Sequence, residues 1–539
     1  MLNKTPTEVI IKTLSKIPGN IKVTFISAFI FGLLTHLFML TNSLPNHDEA
    51  LYLVGNLEWA ASVTGRWFMP YVAAISSKFS MPWVNGLLSM LYISVSACFI
   101  VSIVQVEKKI YCALISGIMV TIPTVASIFA YMQHADPYFF CLMLVCFAAF
   151  LSERYKYGYI IAIIPIVLSL AIYQAFFGVV VALLILVLIL EVLDNQTTWQ
   201  KTVFKGIRFV GTLGVSMIMY LATVRILYPD GFDIEYQDLN QMGQLSLSDL
   251  PLRIITAYKE ILKFFVLDIR NFHYSFINFV FVLSFVACGV LIALLCIKKK
   301  IHKEPLKLLL LSALLLLFPL GCNIVYLMGP VTIHDQMVYG TIFIFVFLII
   351  VVDMCTNNGL FETPHKKRIA DKITSISSWI ITLTIVMTMF NYWIVSNQAY
   401  FKLNIGYQTA YAQSVLLMSH IQSMPGYTYD MDIVLVGSAP EWQGIPELDQ
   451  ITVYGALGPE QFGSWTYPHF LRNYLNITQN VVHLRFNNLW TGVFSDDEFI
   501  INALDIVRDM PRYPDSGSIV IIDNVIYVRF ITDYALTYL

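Results

Sequence analysis

AFFGVVVALLILVLILEVL, residues 175–193, runs nineteen positions with a single charge, Glu191, near its end. A helix needs roughly 17–25 predominantly apolar residues to cross a hydrocarbon core of ~30 Å, so this run reads as a membrane span. Ten further runs have the same character, at about 22–41, 82–104, 110–130, 137–152, 158–173, 205–227, 275–297, 307–328, 338–354 and 374–395. The 539 residues are 57% hydrophobic and 13% charged, with mean hydropathy +0.69. Such a chain cannot fold as one soluble core. It is read as an α-helical polytopic membrane protein of eleven spans.

Lys and Arg gather in alternate connections: 4–16, 108–109, 154–156, 201–208, 298–307 and 366–372. The connections at 131–136, 173–174 and 329–337 carry none. The positive-inside rule places the basic connections in the cytoplasm, which puts the N-terminus inside and the C-terminus outside. A polar stretch of about twenty residues precedes the first span, so that span is expected to be an anchor rather than a cleaved signal. The net charge of −2 is sorted by side of the membrane, and it gives no reason to expect a nucleic-acid partner.

Three pieces lie outside the membrane in this reading. Residues 42–81 are expected to form a helix from Asp48 to about Thr64, then an interfacial or re-entrant segment at 67–77. Residues 228–274 contain a helix starting at Ser248-Asp249, with Arg253, Thr256, Lys259, Glu260 and Lys263 on one side and Leu252, Ile255, Ile261, Leu262 and Phe265 on the other. Such a helix either lies in the interface with its cations near lipid phosphate or packs on the bundle. Residues 396–539 have ordinary soluble composition and read as a small α/β domain: a helix near 399–423, a strand at 432–437, helices near 467–475 and 496–509, and strands 519–522 and 525–530 around an Asp523-Asn524 turn. Fourteen acids against six Lys and Arg make it acidic by about eight charges. A neutral or sugar partner suits it better than an anionic one, and Trp442, Trp465, Tyr467 and Trp490 are either sugar-stacking rings or its core.

All eight cysteines fall in or beside the spans, which excludes a disulfide framework in the external domain. No C-x-x-C pair, H-E-x-x-H helix, Walker loop or dinucleotide fingerprint occurs, so neither a zinc site nor a nucleotide cofactor is indicated. Cytoplasmic loops of at most about twenty residues leave no room for a nucleotide-sugar domain. Chemistry is therefore expected outside.

The acidic pair Asp48-Glu49 directly follows the first span. A carboxylate there suits glycosyl transfer, which needs a base for the acceptor hydroxyl and cations for the departing phosphate. Asp48 or Glu49 is the candidate base. Arg66, Arg225, Arg253, Lys259 and Arg270, all at the outer boundary, are the candidate donor-phosphate cations. The alternative for Asp48 is a helix cap, since Pro45-Asn46-His47-Asp48 resembles a helix start. Further polar candidates on the same side, for acceptor or sugar, are Tyr52, His134, Asp136, Tyr173, Gln174, His334 and Asp335. Asp136 before Pro137 also fits a helix start, His334-Asp335 fits a hydrated loop, and Tyr173-Gln174 fits a bond across helices.

The Asp-Glu pair, the Gly65-Arg66-Trp67 turn and Ile172-Tyr173-Gln174-Ala175 resemble the phage-type serotype-converting O-antigen glucosyltransferases of bacterial Gtr systems, over roughly 25–395. The resemblance implies a GT-C fold in the bacterial inner membrane with a periplasmic C-terminal domain. It also implies an inverting, metal-independent reaction with undecaprenyl-phosphate glucose as donor substrate, no cofactor, and O-antigen or another surface polysaccharide as acceptor, alongside flippase and donor-synthesis partners. Asp48 matches the acidic residue that such enzymes carry in their first external loop. A lipid-linked-glycan flippase or secondary transporter is the rival, but such proteins place ionisable residues near the bilayer midplane and often show repeated halves. The spans here are nearly free of charge, and no repeat is evident. A non-enzymatic envelope scaffold, binding through the outer domain, is the third possibility.

Overall fold

The computed structural model describes residues 5–51, 57–229, 248–267, 275–328, 333–356, 364–437, 466–484 and 497–530. The chain is a helical membrane protein with a small α/β region near its C-terminus. The residues group into two compact units: 1–41, 56–129 and 133–397 form one, and 42–55, 130–132 and 398–539 form the other.

In the first unit, helices α1 (Pro6–Lys16) and α2 (Gly19–Thr41) lead into the bundle. Thr5 caps α1 and Glu8 returns the bond, a reciprocal arrangement that fixes its start. Among the described residues, nine helices are long and apolar enough to cross a membrane, or ten if the pair Lys109–Thr121 and Pro123–Phe129, bent by 45°, counts as one span. The bend falls at Pro123, where a ring replaces an amide donor.

Eleven spans were expected, and the difference lies at 158–173. That stretch forms two short helices, Gly158–Ile161 and Ile163–Leu170. At about 1.5 Å of rise per residue they cover ~20 Å, and the non-helical residues to Tyr173 carry the chain on from the Arg154 end to the Arg66 turn. The chain leaves the helix at Ala171 and is extended at Tyr173 (φ −156°, ψ 107°), because Tyr173 and Gln174 are drawn to side chains elsewhere. Apolar composition alone does not register such a break.

The segment 57–76 forms helices Leu57–Thr64 and Met69–Ala73 and a 3-10 turn Ala74–Ser76. Met69, Val72, Ala73 and Ser76 are buried, whereas Tyr71 and Ile75 are exposed, so the expected interfacial segment has one packed and one open side. Helix Leu250–Leu262 packs on the bundle: Asn323 donates to the Ala257 carbonyl at 3.0 Å, and Tyr258 donates to that of Leu316. Its Leu252, Ile255 and Leu262 are exposed and Arg253 is half-buried. The helix thus packs on the bundle through Ala257 and Tyr258 while its apolar row faces outward.

In the second unit, the C-terminal part of the helix Pro364–Gln422 leads to a four-stranded sheet of order β2-β1-β4-β3, with β1 Asp432–Val436, β2 Val481–Leu484, β3 Ile519–Ile522 and β4 Val525–Arg529. β1 lies parallel to both β2 and β4, and β3 and β4 form an antiparallel hairpin. Asp523 (φ 49°) and Asn524 (φ 65°) make its turn, since these two residue types tolerate positive φ and such turns match strand twist. One face of the sheet packs on Leu417, Ile421 and Phe470, and the other on Ala503, Leu504 and Val507. Tyr467 is core rather than a sugar platform: it is 4% exposed, with its hydroxyl 3.0 Å from that of Ser414. Trp442, Trp465 and Trp490 lie outside the described residues.

Candidate functional site

The acidic pair sits on the short helix His47–Leu51. The cap of this helix is Asn46, not Asp48: Asn46 Oδ1 accepts from the Glu49 amide at 2.9 Å, and Glu49 Oε2 accepts from the Asn46 amide at 3.3 Å. This reciprocal box turns Glu49 inward, where it is 2% exposed. Asp48 is left out of the cap. Its side chain keeps 28% of its surface exposed, with Oδ1 3.2 Å from His47 Nε2. Partial burial raises the Asp48 carboxyl above its ordinary 3.8, and His47 opposes the rise. Within the expected helix from Asp48 to about Thr64, His47–Leu51 and Leu57–Thr64 are helical, and Tyr52 lies outside the described residues.

This helix belongs to the second unit. Asn473 of the helix Tyr467–Leu475 donates to the Ala50 carbonyl at 2.9 Å, and Ala50 is fully buried in the same core as Leu417 and Phe470. Tyr474 is held well above the ordinary phenol range, first by burial and then by the Glu49 charge. The acids are therefore positioned by residues more than four hundred places away in the chain.

In the first unit, the structure brings together two of the motifs singled out in the sequence. Gly65 is in the left-handed region (φ 70°), which lets the turn reverse and present Arg66. The Phe68 amide donates to the Ala171 carbonyl at 2.9 Å, and Gln174 Nε2 donates to the Thr64 carbonyl at 2.9 Å and to the Tyr220 hydroxyl at 2.8 Å. Arg66 Nε donates to Gln174 Oε1 at 3.4 Å, its Nη1 donates to the Tyr138 hydroxyl at 3.2 Å, and its guanidinium lies 4.8 Å over the Tyr173 ring. Tyr138 stacks on Tyr173 at 4.1 Å and His134 stacks on Tyr138 at 5.7 Å. Gln336, in the turn Asp335–Met337, points at the Tyr173 hydroxyl.

Trp67 Nε1 and His134 Nδ1 are buried without a hydrogen-bond partner, and the Tyr173 hydroxyl has only the Gln336 side chain to turn to. Buried polar groups are ordinarily paired, so a cluster of unpaired ones around a cation marks a place built for a polar ligand. Tyr138 and Tyr220 were not among the expected site residues, although a tyrosine inside an apolar span is the signal that points to them; Gln336 adjoins the expected pair His334-Asp335.

The other expected residues are placed as follows. Asp136 is fully buried and accepts from Asn85 Nδ2 at 2.7 Å. Asn85 also donates to the Ser76 hydroxyl at 3.1 Å and accepts from the Met81 amide at 2.7 Å, so Asp136 anchors the 76–85 segment. His334 precedes the Asp335 turn, half-buried. Burial lowers its pKa and the Asp335 charge opposes this. Arg225 is exposed in the last turn of Trp199–Leu227, and Lys259 is exposed on Leu250–Leu262. Arg253 is half-buried with Nη1 unpartnered. Arg270 lies outside the described residues.

A protein-family model described as Glucosyl transferase GtrII matches residues 37–352, more than half of the chain. The chain belongs to the GtrII glucosyl transferase family. The matched region contains the Asp48-Glu49 helix, the Arg66 turn and the Tyr173-Gln174 break. Comparison with curated proteins and with solved structures finds no match.

Proposed function

We propose that this GtrII-family glucosyltransferase takes glucose from undecaprenyl phosphate, on the extracytoplasmic side of the bacterial inner membrane, and attaches it with inversion to O-antigen or another surface polysaccharide, using a GT-C type scaffold. Asp48 takes the proton of the acceptor hydroxyl as its oxygen bonds to the anomeric carbon. The bond from that carbon to the phosphate oxygen breaks, and the electron pair leaves with the phosphate. A phosphate monoester has a second pKa of about 6, so the leaving group needs no acid. Glu49 holds the helix that carries Asp48.

Arg66 receives the phosphate, because a guanidinium fork suits phosphate oxygens in a way a lysine does not. Arg225, Arg253, Lys259 and Arg270 supply further positive charge along the same boundary. Tyr173 and Tyr138 offer rings to a sugar, and Tyr52, His134, Asp136, Gln174, His334 and Asp335 offer or position polar contacts to sugar or acceptor. The reaction proceeds without metal or cofactor. Charge sorting along the chain supports an N-terminus in the cytoplasm and a periplasmic C-terminal domain.

The observation that carries this reading is the Arg66 guanidinium over Tyr173 amid buried, unpartnered polar atoms. Mass analysis of surface polysaccharide from cells with and without the protein tests it. The expected result is a repeat unit heavier by one hexose only when the protein is present. Identical masses would overturn the acceptor assignment.

A further inference from the structure

At the opposite, lysine-rich end of the first unit, a cavity of about 720 Å³ opens between the end of Met132–Arg154, the turn that follows it, the end of Phe177–Asp194 and the start of Trp199–Leu227. Five cations line it (Arg154, Lys156, Lys201, Lys205 and Arg208) against two acids, Glu153 and Glu191. Both acids are already engaged. Lys205 Nζ lies 2.7 Å from Glu153 and 2.9 Å from Glu191, whose other oxygen accepts from Thr197 at 3.0 Å and Thr202 at 3.2 Å.

Lys156, Lys201 and Arg208 have no carboxylate partner among the described residues and are exposed. The Arg208 guanidinium is held 4.5 Å over Phe204 and 5.7 Å over Tyr159, which fixes its direction at little entropic cost. Lys205 offsets one of the two acid charges, and the remaining lining cations leave the cavity with an excess of positive charge, so three uncompensated, partly oriented cations make it a receptor for an anion.

The neighbouring surface says which kind. Ile160, Ile164, Ile207 and Val210 are 51%, 60%, 61% and 70% exposed on the helices that flank the cavity. On a membrane-spanning bundle such a surface meets acyl chains, so the cavity joins a cationic mouth to an apolar wall. A free anion would use only the first. Basic pockets between helix ends on the cytoplasmic side suit lipid head groups.

From this juxtaposition we infer that the cavity binds the phosphate of an anionic diacyl phospholipid from the cytoplasmic leaflet. This site is separate from the residues assigned to glucosyl transfer, and the inference does not rest on that assignment.

The test is equilibrium binding of fluorescent short-chain phosphatidylglycerol to the purified full-length protein in neutral detergent. Wild type is compared with Lys201→Gln/Arg208→Gln and with Lys156→Gln, whose exposed turn tolerates the change. Surface cations near lipid phosphate are worth about fivefold in affinity each. Lys156→Gln is expected to bind about fivefold more weakly and the double variant about twentyfold, with phosphatidylcholine binding weakly and equally to all three. Millimolar inorganic phosphate is expected not to displace the lipid. Equal phosphatidylglycerol affinity in all three proteins would overturn the site. Displacement of the lipid by inorganic phosphate would overturn the assignment to a lipid.

Discussion

The Arg66 guanidinium lies 4.8 Å over the Tyr173 ring while its Nη1 donates to Tyr138, a ring stacked 4.1 Å from Tyr173. Two residues a hundred positions apart thus share one cation, one fork and one aromatic floor. Arg66→Lys keeps the charge but loses the planar fork and most of the stacking. It is expected to lower glucosyl transfer by about a hundredfold, the order seen when one charge-stabilising donor is removed. Steady-state transfer from lipid-linked glucose checks this. A loss of less than about threefold would remove Arg66 from the phosphate role.

Glu49 and Asn46 exchange two hydrogen bonds at the start of the helix His47–Leu51. Glu49→Ala breaks one of them and is expected to cost about 1 kcal/mol of stability. Glu49→Gln keeps the box and is expected to retain most activity. Thermal unfolding of both variants, read beside their transfer rates, separates a capping acid from a reacting one. Abolished transfer in Glu49→Gln with unchanged unfolding would move the base from Asp48 to Glu49.

Asp48 titrates above its ordinary 3.8 because burial disfavours its charge. A raised carboxyl binds its proton more tightly in the folded state, so its contribution to stability is present below 3.8 and is lost as pH rises through the raised value. Its contribution to catalysis runs the other way, since a base must be unprotonated. Transfer is expected to fall as pH drops through the raised pKa, and any stability gained over the same window should be absent in Asp48→Asn. A pH–rate profile and a pH–stability profile for the two proteins check both directions.

Asn85 joins the Asp136 carboxylate, the Ser76 hydroxyl and the Met81 amide. Asn85→Ala leaves these buried groups short of partners and is expected to destabilise the protein by about 1–3 kcal/mol. The midpoint of thermal unfolding in detergent reports it. No shift would show that these contacts are not formed.

Gly340 has no room for a side chain, because a Cβ there would sit 2.4 Å from the Cys322 carbonyl oxygen, whereas one at Gly289 would meet nothing within 4 Å. Gly340→Ala is expected to lower the yield of folded protein sharply and Gly289→Ala to leave it unchanged. Size-exclusion profiles of the two variants check the contrast.

Most of the architecture was legible in the sequence because lipid imposes a length and a composition that few other environments do. The strands 432–436, 519–522 and 525–529 were also legible, since β-branched runs bounded the Asp523-Asn524 turn. The strand Val481–Leu484 is harder to read, since its short apolar run lacks a hairpin turn like Asp523-Asn524 to bound it. The division of 158–170 into two short helices is not visible in hydropathy, which counts apolar atoms but not helix geometry. Tyr173-Gln174 stood out as a polar interruption, yet its partners Arg66, Tyr138 and Tyr220 are set by tertiary packing. The docking of Ala50 beside Asn473 is likewise invisible locally. The capping role of Glu49, by contrast, was written in Asn46-x-x-Glu49 and was overlooked beside the more conspicuous Asp48.

The most direct measurement is glucosyl transfer by Asp48→Asn in membranes supplied with undecaprenyl-phosphate glucose and acceptor glycan, with folding monitored in parallel. A loss of about a hundredfold or more, with thermal unfolding near that of wild type, is the expected result. Transfer at the wild-type rate would contradict the assignment of Asp48 as the base.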